Sequence, residues 1–116
     1  MRIYRRSEFL SLPVGTIYAK GTPWAFHGFS VKGETWGNDW LELSPMWIEA
    51  HDDEEQHERL EAMLEQGASY PMQESYGRDG CFDDEEIFLV PEKEDLEKLR
   101  AMVEAALATA KLKVLD

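Results

Sequence analysis

The stretch VGTIYAKGTPWAFHGFSV, residues 14–31, decides how this chain reads. Val14 to Lys20 is β-branched and aromatic enough for a strand, and Gly21, Thr22 and Pro23 supply a turn. Beyond the turn Trp24, Phe26, Phe29 and Val31 keep a two-residue alternation except for one slip at Gly28, where a β-bulge absorbs an extra residue. Two such strands joined tightly predict an antiparallel hairpin, and the rest of the chain is read by what it can add to it.

Working outward, residues 32–39 carry Gly33, Gly37 and Asn38 and read as a loop, after which Trp40 to Ser44 resumes alternation with Leu41 and Leu43 on one face. Upstream, Arg2 to Arg5 reads as a short strand, and Ser7 caps a helical turn carrying Phe9, Leu10 and Leu12 that stops before Pro13. Downstream the period changes. Asp52 or Asp53 caps a helix with Glu54 and Glu55 in its first turn, a thin stripe of Leu60, Met63 and Leu64, and a stop at Gly67. Glu86 to Val90 is a further strand closed by Pro91. A second helix carries Leu96, Leu99, Met102, Val103, Ala106, Leu107 and Ala110 at helical spacing, which predicts a wide apolar face crossing the sheet through Leu99, Val103 and Leu107. The expectation is an α+β fold: one domain over residues 1–116, with an antiparallel sheet of four to five strands and two main helices packed on it.

The 116 residues are 43% hydrophobic, enough for one core and too few for two. Cys81 is the only cysteine, so neither an intrachain disulfide nor a CxxC site is possible; it reads as a small packing residue, and a cytoplasmic setting is expected. Behind Arg2, Arg5 and Arg6 the apolar runs are too broken for a signal-peptide core, and no run approaches the roughly 20 apolar residues of a spanning helix, so no membrane partner is expected. The formal charge of −12 is unevenly placed: residues 34–97 hold three Lys/Arg against 21 Asp/Glu, a net of −18. Such a block repels nucleic-acid backbone and attracts basic protein surfaces, so a basic protein partner is expected and direct nucleic-acid binding is not.

Candidate chemistry is thin. His51, Glu54, Glu55, His57, Glu58 and Glu61 are the densest potential metal ligands, but a dimetal carboxylate site needs a second Glu-x-x-His helix, and His57-Glu58-x-x-Glu61 lacks the final histidine of a zincin. Asp79, Asp83, Asp84, Glu85 and Glu86 miss the ligand spacing of an EF-hand. Gly77 and Gly80 lack the helix start and lysine of a phosphate loop, and acidic neighbours disfavour a Cys81 thiolate. No metal, cofactor or catalytic residue is assigned, which favours a non-enzymatic protein. Contact residues are better supported. Residues 67–84 form a long connection rich in tyrosine, either pinned to the core by Tyr70, Met72 and Phe82 or used for recognition through Tyr76, Arg78 and Asp79. Four tryptophans between residues 24 and 47 exceed what a small sheet buries, and Trp36 and Trp40 beside Gly37, Asn38 and Asp39 are the expected exposed ones. Asp52, Asp53, Glu54 and Glu55 complete the expected partner-binding set.

The opening Arg2-Ile3-Tyr4-Arg5-Arg6, the run Glu8-Phe9-Leu10-x-Leu12-Pro13-x-Gly15-Thr16-Ile17-Tyr18 and the segment Tyr76-Gly77-Arg78-Asp79-Gly80 resemble small uncharacterised proteins of tailed phages and prophages. The resemblance spans nearly the whole chain and implies a bacterial cytoplasm during phage growth, with no activity or site residue to carry over. The leading functional reading is an accessory or interaction protein whose acidic surface recognises a basic protein. Two others stand beside it: a nucleic-acid mimic that blocks a DNA- or RNA-binding protein, and a small metal-dependent hydrolase built around His51, His57 and the nearby glutamates.

Overall fold

Two-residue alternation sorts the strand side chains onto opposite faces, and cross-strand register keeps the sorting intact across the sheet. Tyr4 stands opposite Phe88, and Phe88 stands opposite Lys20, so Tyr4, Phe88, Val90, Tyr18 and Lys20 share one face while Ile3, Leu89 and Ala19 share the other. The computed structural model describes residues 1–80 and 82–115, with side chains of the last helix described to Lys111. Cys81, read above as a packing residue, lies outside the described residues.

The elements run β1 (Arg2–Arg5), α1 (Arg6–Phe9), β2 (Ile17–Thr22), β3 (Ala25–Trp36), β4 (Asp39–Leu43), α2 (Asp53–Gln66), β5 (Gly77–Arg78), β6 (Ile87–Val90) and α3 (Lys93–Leu115). All strand pairs are antiparallel, in the order β1-β6-β2-β3-β4-β5. The α+β class is as expected, but the described sheet has six strands rather than four or five. The addition is β5, two residues whose Arg78 pairs with Leu41 and Gly77 with Glu42 at the sheet edge. Such a piece is too short to alternate, so no periodicity announces it.

The hairpin forms as read, with the turn displaced to Pro23 and Trp24 because Gly21 and Thr22 remain in β2. The slip at Gly28 is real. Tyr18 pairs with Ser30 and Lys20 with His27, so β3 carries one extra residue there, and Gly28 takes a φ of +50° that only glycine adopts cheaply. Residues 32–36, expected in a loop, instead extend β3 to Trp36. A second irregularity between Lys32 and Thr35 disguises that extension in the sequence, and the turn shrinks to Gly37 and Asn38.

The aromatic core lies on the Tyr18 face of the sheet, while on the opposite face Ile87 of β6 is buried. Phe9, Tyr18, Trp40 and Phe88 are fully buried, with Tyr4, Leu10, Leu12 and Val90 packed around them. Phe9, brought in by the single turn of α1, stacks on Phe88 at 3.9 Å and meets Trp40 and Tyr18 edge-on at 5.0 and 4.6 Å. The expectation that Trp40 is an exposed contact residue is therefore wrong. It lies on the Tyr18 face of β4, and its indole N–H donates to the Tyr18 hydroxyl at 2.8 Å.

The last helix also departs from expectation. Instead of crossing the sheet through Leu99, Val103 and Leu107, α3 is attached near its start and projects away. The Met1 ammonium meets Asp95 at 2.8 Å, Arg2 approaches Glu92, and Leu99 is half-buried, yet Val103 and Leu107 are 59% and 56% exposed. A radius of gyration of 16.4 Å, against about 13 Å for a compact chain of this length, reflects the projection. The aromatic cluster on the other face already supplies the core, so helical periodicity alone misplaced this apolar stripe. No helix among the described residues is long and apolar enough to cross a membrane.

Candidate functional site

β2 and β4 carry polar side chains into positions that alternation assigns to the core face. Lys20 follows Tyr18 by two residues, and Glu42 follows Trp40 by two, so both extend the aromatic cluster with charge. Tyr18 donates its hydroxyl proton to Glu42 Oε2 at 2.6 Å while accepting from Trp40. Lys20 Nζ meets Glu42 Oε1 at 3.2 Å and Asp79 Oδ1 at 2.5 Å, and the Asp79 side chain is fully buried. Asp79, expected as a recognition residue, is thus corrected to a buried partner of Lys20. Its own N–H donates to the Trp40 carbonyl, which draws the chain after β5 over the core.

Tyr18 and Lys20 hold their protons. Burial, reinforced by Glu42, pushes the Tyr18 hydroxyl well above its ordinary value. Burial opposes the Lys20 charge, but Asp79 and Glu42 outweigh it and raise its proton affinity. Asp39 is buried too, and there Arg78 at 2.8 Å and the N–H groups of Gly80 and Trp40 overcome burial and hold the carboxyl below the usual range. The arrangement clamps loop to sheet.

Glu86 is the exception. Its Oε1 is buried without a hydrogen bond and its nearest cation, Arg6 Nη1, stands 3.8 Å away. Burial and then the neighbouring Asp79 raise its value above the ordinary 4.5. The folded chain therefore binds this proton more tightly than the unfolded chain, so the Glu86 contribution to stability is present below pH 4.5 and lost as pH rises through the folded value. In paired thermal melts, the stability of Glu86→Gln relative to wild type is expected to rise across the window just above that pH. A difference that stays flat with pH would refute this assignment.

The expected contact residues fall into two groups. Trp36 is exposed at the end of β3 beside Asp39, while Arg78 holds Asp39 from β5 with most of its side chain in solvent. Tyr76 is 45% exposed and shares with Arg78, Glu49 and His51 an open cleft of about 330 Å³. The acidic group lies on α2. Asp52 caps that helix by accepting from the Glu55 N–H at 2.8 Å, Gly67 closes it at φ +68°, and none of its residues is buried. Asp53 and Glu54 are exposed, and Glu55 pairs with Arg59 at 2.9 Å. Arg59 anchors the helix, donating to the Glu49 carbonyl and covering the Tyr70 ring at 4.7 Å.

The 67–84 connection is ordered by different contacts from those expected. Met72 and Phe82 are 57% and 55% exposed. Besides the Asp79 and Arg78 contacts, the segment is held by an Ile48–Met72 bridge and by the N–H groups of Glu74 and Ser75 donating to the Glu49 carboxylate. No three potential metal ligands come together among the described residues; His57 meets only Glu61, at 4.0 Å on an exposed surface. Sequence reading missed Tyr18, Lys20, Glu42 and Asp79 as a network, although the two-residue steps from Tyr18 to Lys20 and from Trp40 to Glu42 were a usable signal. Compared with family models, curated proteins and solved structures, the chain gives no significant match, so its own geometry carries the functional argument.

Proposed function

We propose that this is a protein-interaction module whose α2 face meets a basic surface on another protein. The observation that carries the reading is a helix of 14 residues that contributes no buried residue to the fold, yet displays Asp53, Glu54, Glu58 and Glu65 without a cation partner among the described residues. A helix that stabilises the core so little is better explained by its surface. The cleft holding Tyr76 and Arg78 also involves Glu49 and His51, which lead into α2, so aromatic and polar contacts lie at its base. The clamped charges around Lys20 support binding over catalysis, because a rigid platform suits recognition. The resemblance to phage and prophage proteins supports a bacterial cytoplasm as the setting and a host or phage protein as the partner.

The test is capture of partners at low and high salt with wild type and a variant carrying Asp52→Asn, Asp53→Asn, Glu54→Gln and Glu55→Gln. Attraction between exposed charges fades beyond about 10 Å at 0.1 M salt, so the expected partner is basic, weakened by salt and lost in the variant. Its displacement by added DNA would mark nucleic-acid mimicry as the mode. Retention of the same partner by both proteins at both salts would overturn the electrostatic reading and shift weight to Trp36 and Tyr76.

A further inference from the structure

An unpartnered apolar surface runs along α3. Leu96, Leu99, Val103, Ala106 and Ala110 recur at steps of three, four, three and four, a seam suited to a second helix, with Met102 and Leu107 beside it. Met102, Val103 and Leu107 are 66%, 59% and 56% exposed, and at roughly 1.5 Å per residue the helix of 23 residues extends well beyond its attachment near Met1.

Two further features narrow the occupant. The first is charge along the helix: residues 92–104 carry five acids against Lys93, Lys98 and Arg100, a net of −2, whereas residues 105–116 carry Lys111 and Lys113 against Asp116, a net of +1. Met1 and Arg2 partly occupy Glu92 and Asp95, but Glu94 and Glu97 have no cation partner among the described residues. A second copy running the opposite way sets basic end against acidic end twice, while a parallel copy sets like against like. The second feature is an apolar groove of about 360 Å³ at the base of the helix, lined by Ile17, Ala19, Phe29, Leu89, Leu99 and Met102. It continues the exposed helix face onto the sheet surface opposite the aromatic core.

We propose that two copies of this chain associate through α3 in antiparallel orientation, the Leu99, Met102, Val103 and Leu107 face of each helix covering that of the other and its C-terminal half passing over the other's groove. The contact is isologous: the same patch serves both copies and a two-fold axis closes the assembly at two. It leaves α2 free, so the dimer stands independently of partner recognition.

Sedimentation equilibrium of the full chain is expected to give twice the chain mass at micromolar concentration, falling towards the monomer on dilution. Val103→Asp combined with Leu107→Asp is expected to halve that mass while leaving the circular dichroism of the sheet unchanged, because both side chains are already in solvent. Met102→Glu provides a second, independent disruption. Orientation is read with a spin label at Glu94→Cys in a Cys81→Ser background: antiparallel helices place the two labels about 30 Å apart, whereas parallel helices place them about 10 Å apart. A monomeric wild type throughout the concentration series, a dimer that survives the substitutions with its fold intact, or the short label distance would each overturn the proposal.

Discussion

Phe9→Ala is expected to lower the free energy of unfolding by about 3–5 kcal/mol, a large share of what a chain of this size possesses. Phe9 is the one fully buried side chain that α1 delivers onto the aromatic face of the sheet. It lies flat on Phe88 and edge-on to Tyr18 and Trp40, so its removal opens a void bordered by three rings fixed on three different strands. The neighbouring Leu10 and Leu12 are themselves only partly buried and anchored by the same turn, which limits collapse into the space. Phe9→Leu, which refills much of the volume, is expected to recover part of the loss. Denaturant unfolding followed by circular dichroism measures both. A loss below about 1 kcal/mol, typical of surface sites, would mean that α1 does not close the core.

Lys20→Met is expected to cost a similar amount, about 3–5 kcal/mol, for an electrostatic reason. The substitution keeps the length and apolar stem but deletes the ammonium that faces Asp79 at 2.5 Å and Glu42 at 3.2 Å. Asp79 is fully buried at its side chain, and desolvating an anion stripped of its nearest cation is the dominant penalty. The double variant Lys20→Met with Asp79→Asn is expected to be more stable than Lys20→Met alone, since the buried anion is removed together with its cation. Chemical denaturation of wild type, the two single variants and the double variant closes the cycle. Additive losses would show that Lys20 and Asp79 act separately and that the clamp between loop and sheet is incidental.

Much of the architecture was legible because local pattern and tertiary role agree. Tyr18, Phe26 and Val31 are β-formers within β-strands, the slip at Gly28 is a bulge, and Asp52 and Gly67 cap α2 as their chemistry dictates. Failures arose where pattern is ambiguous about environment. An apolar stripe such as Leu99-Val103-Leu107 fits a core and a subunit contact equally well, and periodicity does not say which surface lies opposite. Trp40 looked exposed because Gly37, Asn38 and Asp39 precede it, yet Gly37 and Asn38 make a tight turn and Asp39 opens β4 as a buried residue held by Arg78 and Gly80. The acidic face of α2 could be read directly, since it depends only on local spacing. The Lys20 network was legible only in part: two-residue steps place Lys20 and Glu42 on the core face, but Asp79 joins them only when β2, β4 and the segment after β5 are assembled.

The strand order has a consequence for synthesis. β6 lies between β1 and β2, so Arg2 pairs with Val90 and Ala19 with Leu89. A nascent chain that has produced its first 80 residues holds two strands whose shared neighbour does not yet exist, with both facing edges open to the wrong partner. Closure of the sheet must await synthesis of residues 87–90, a high-contact-order event that leaves those edges exposed until β6 emerges. Loss of residues 87–90 would accordingly remove an interior strand and take the strand partner of β1 with it.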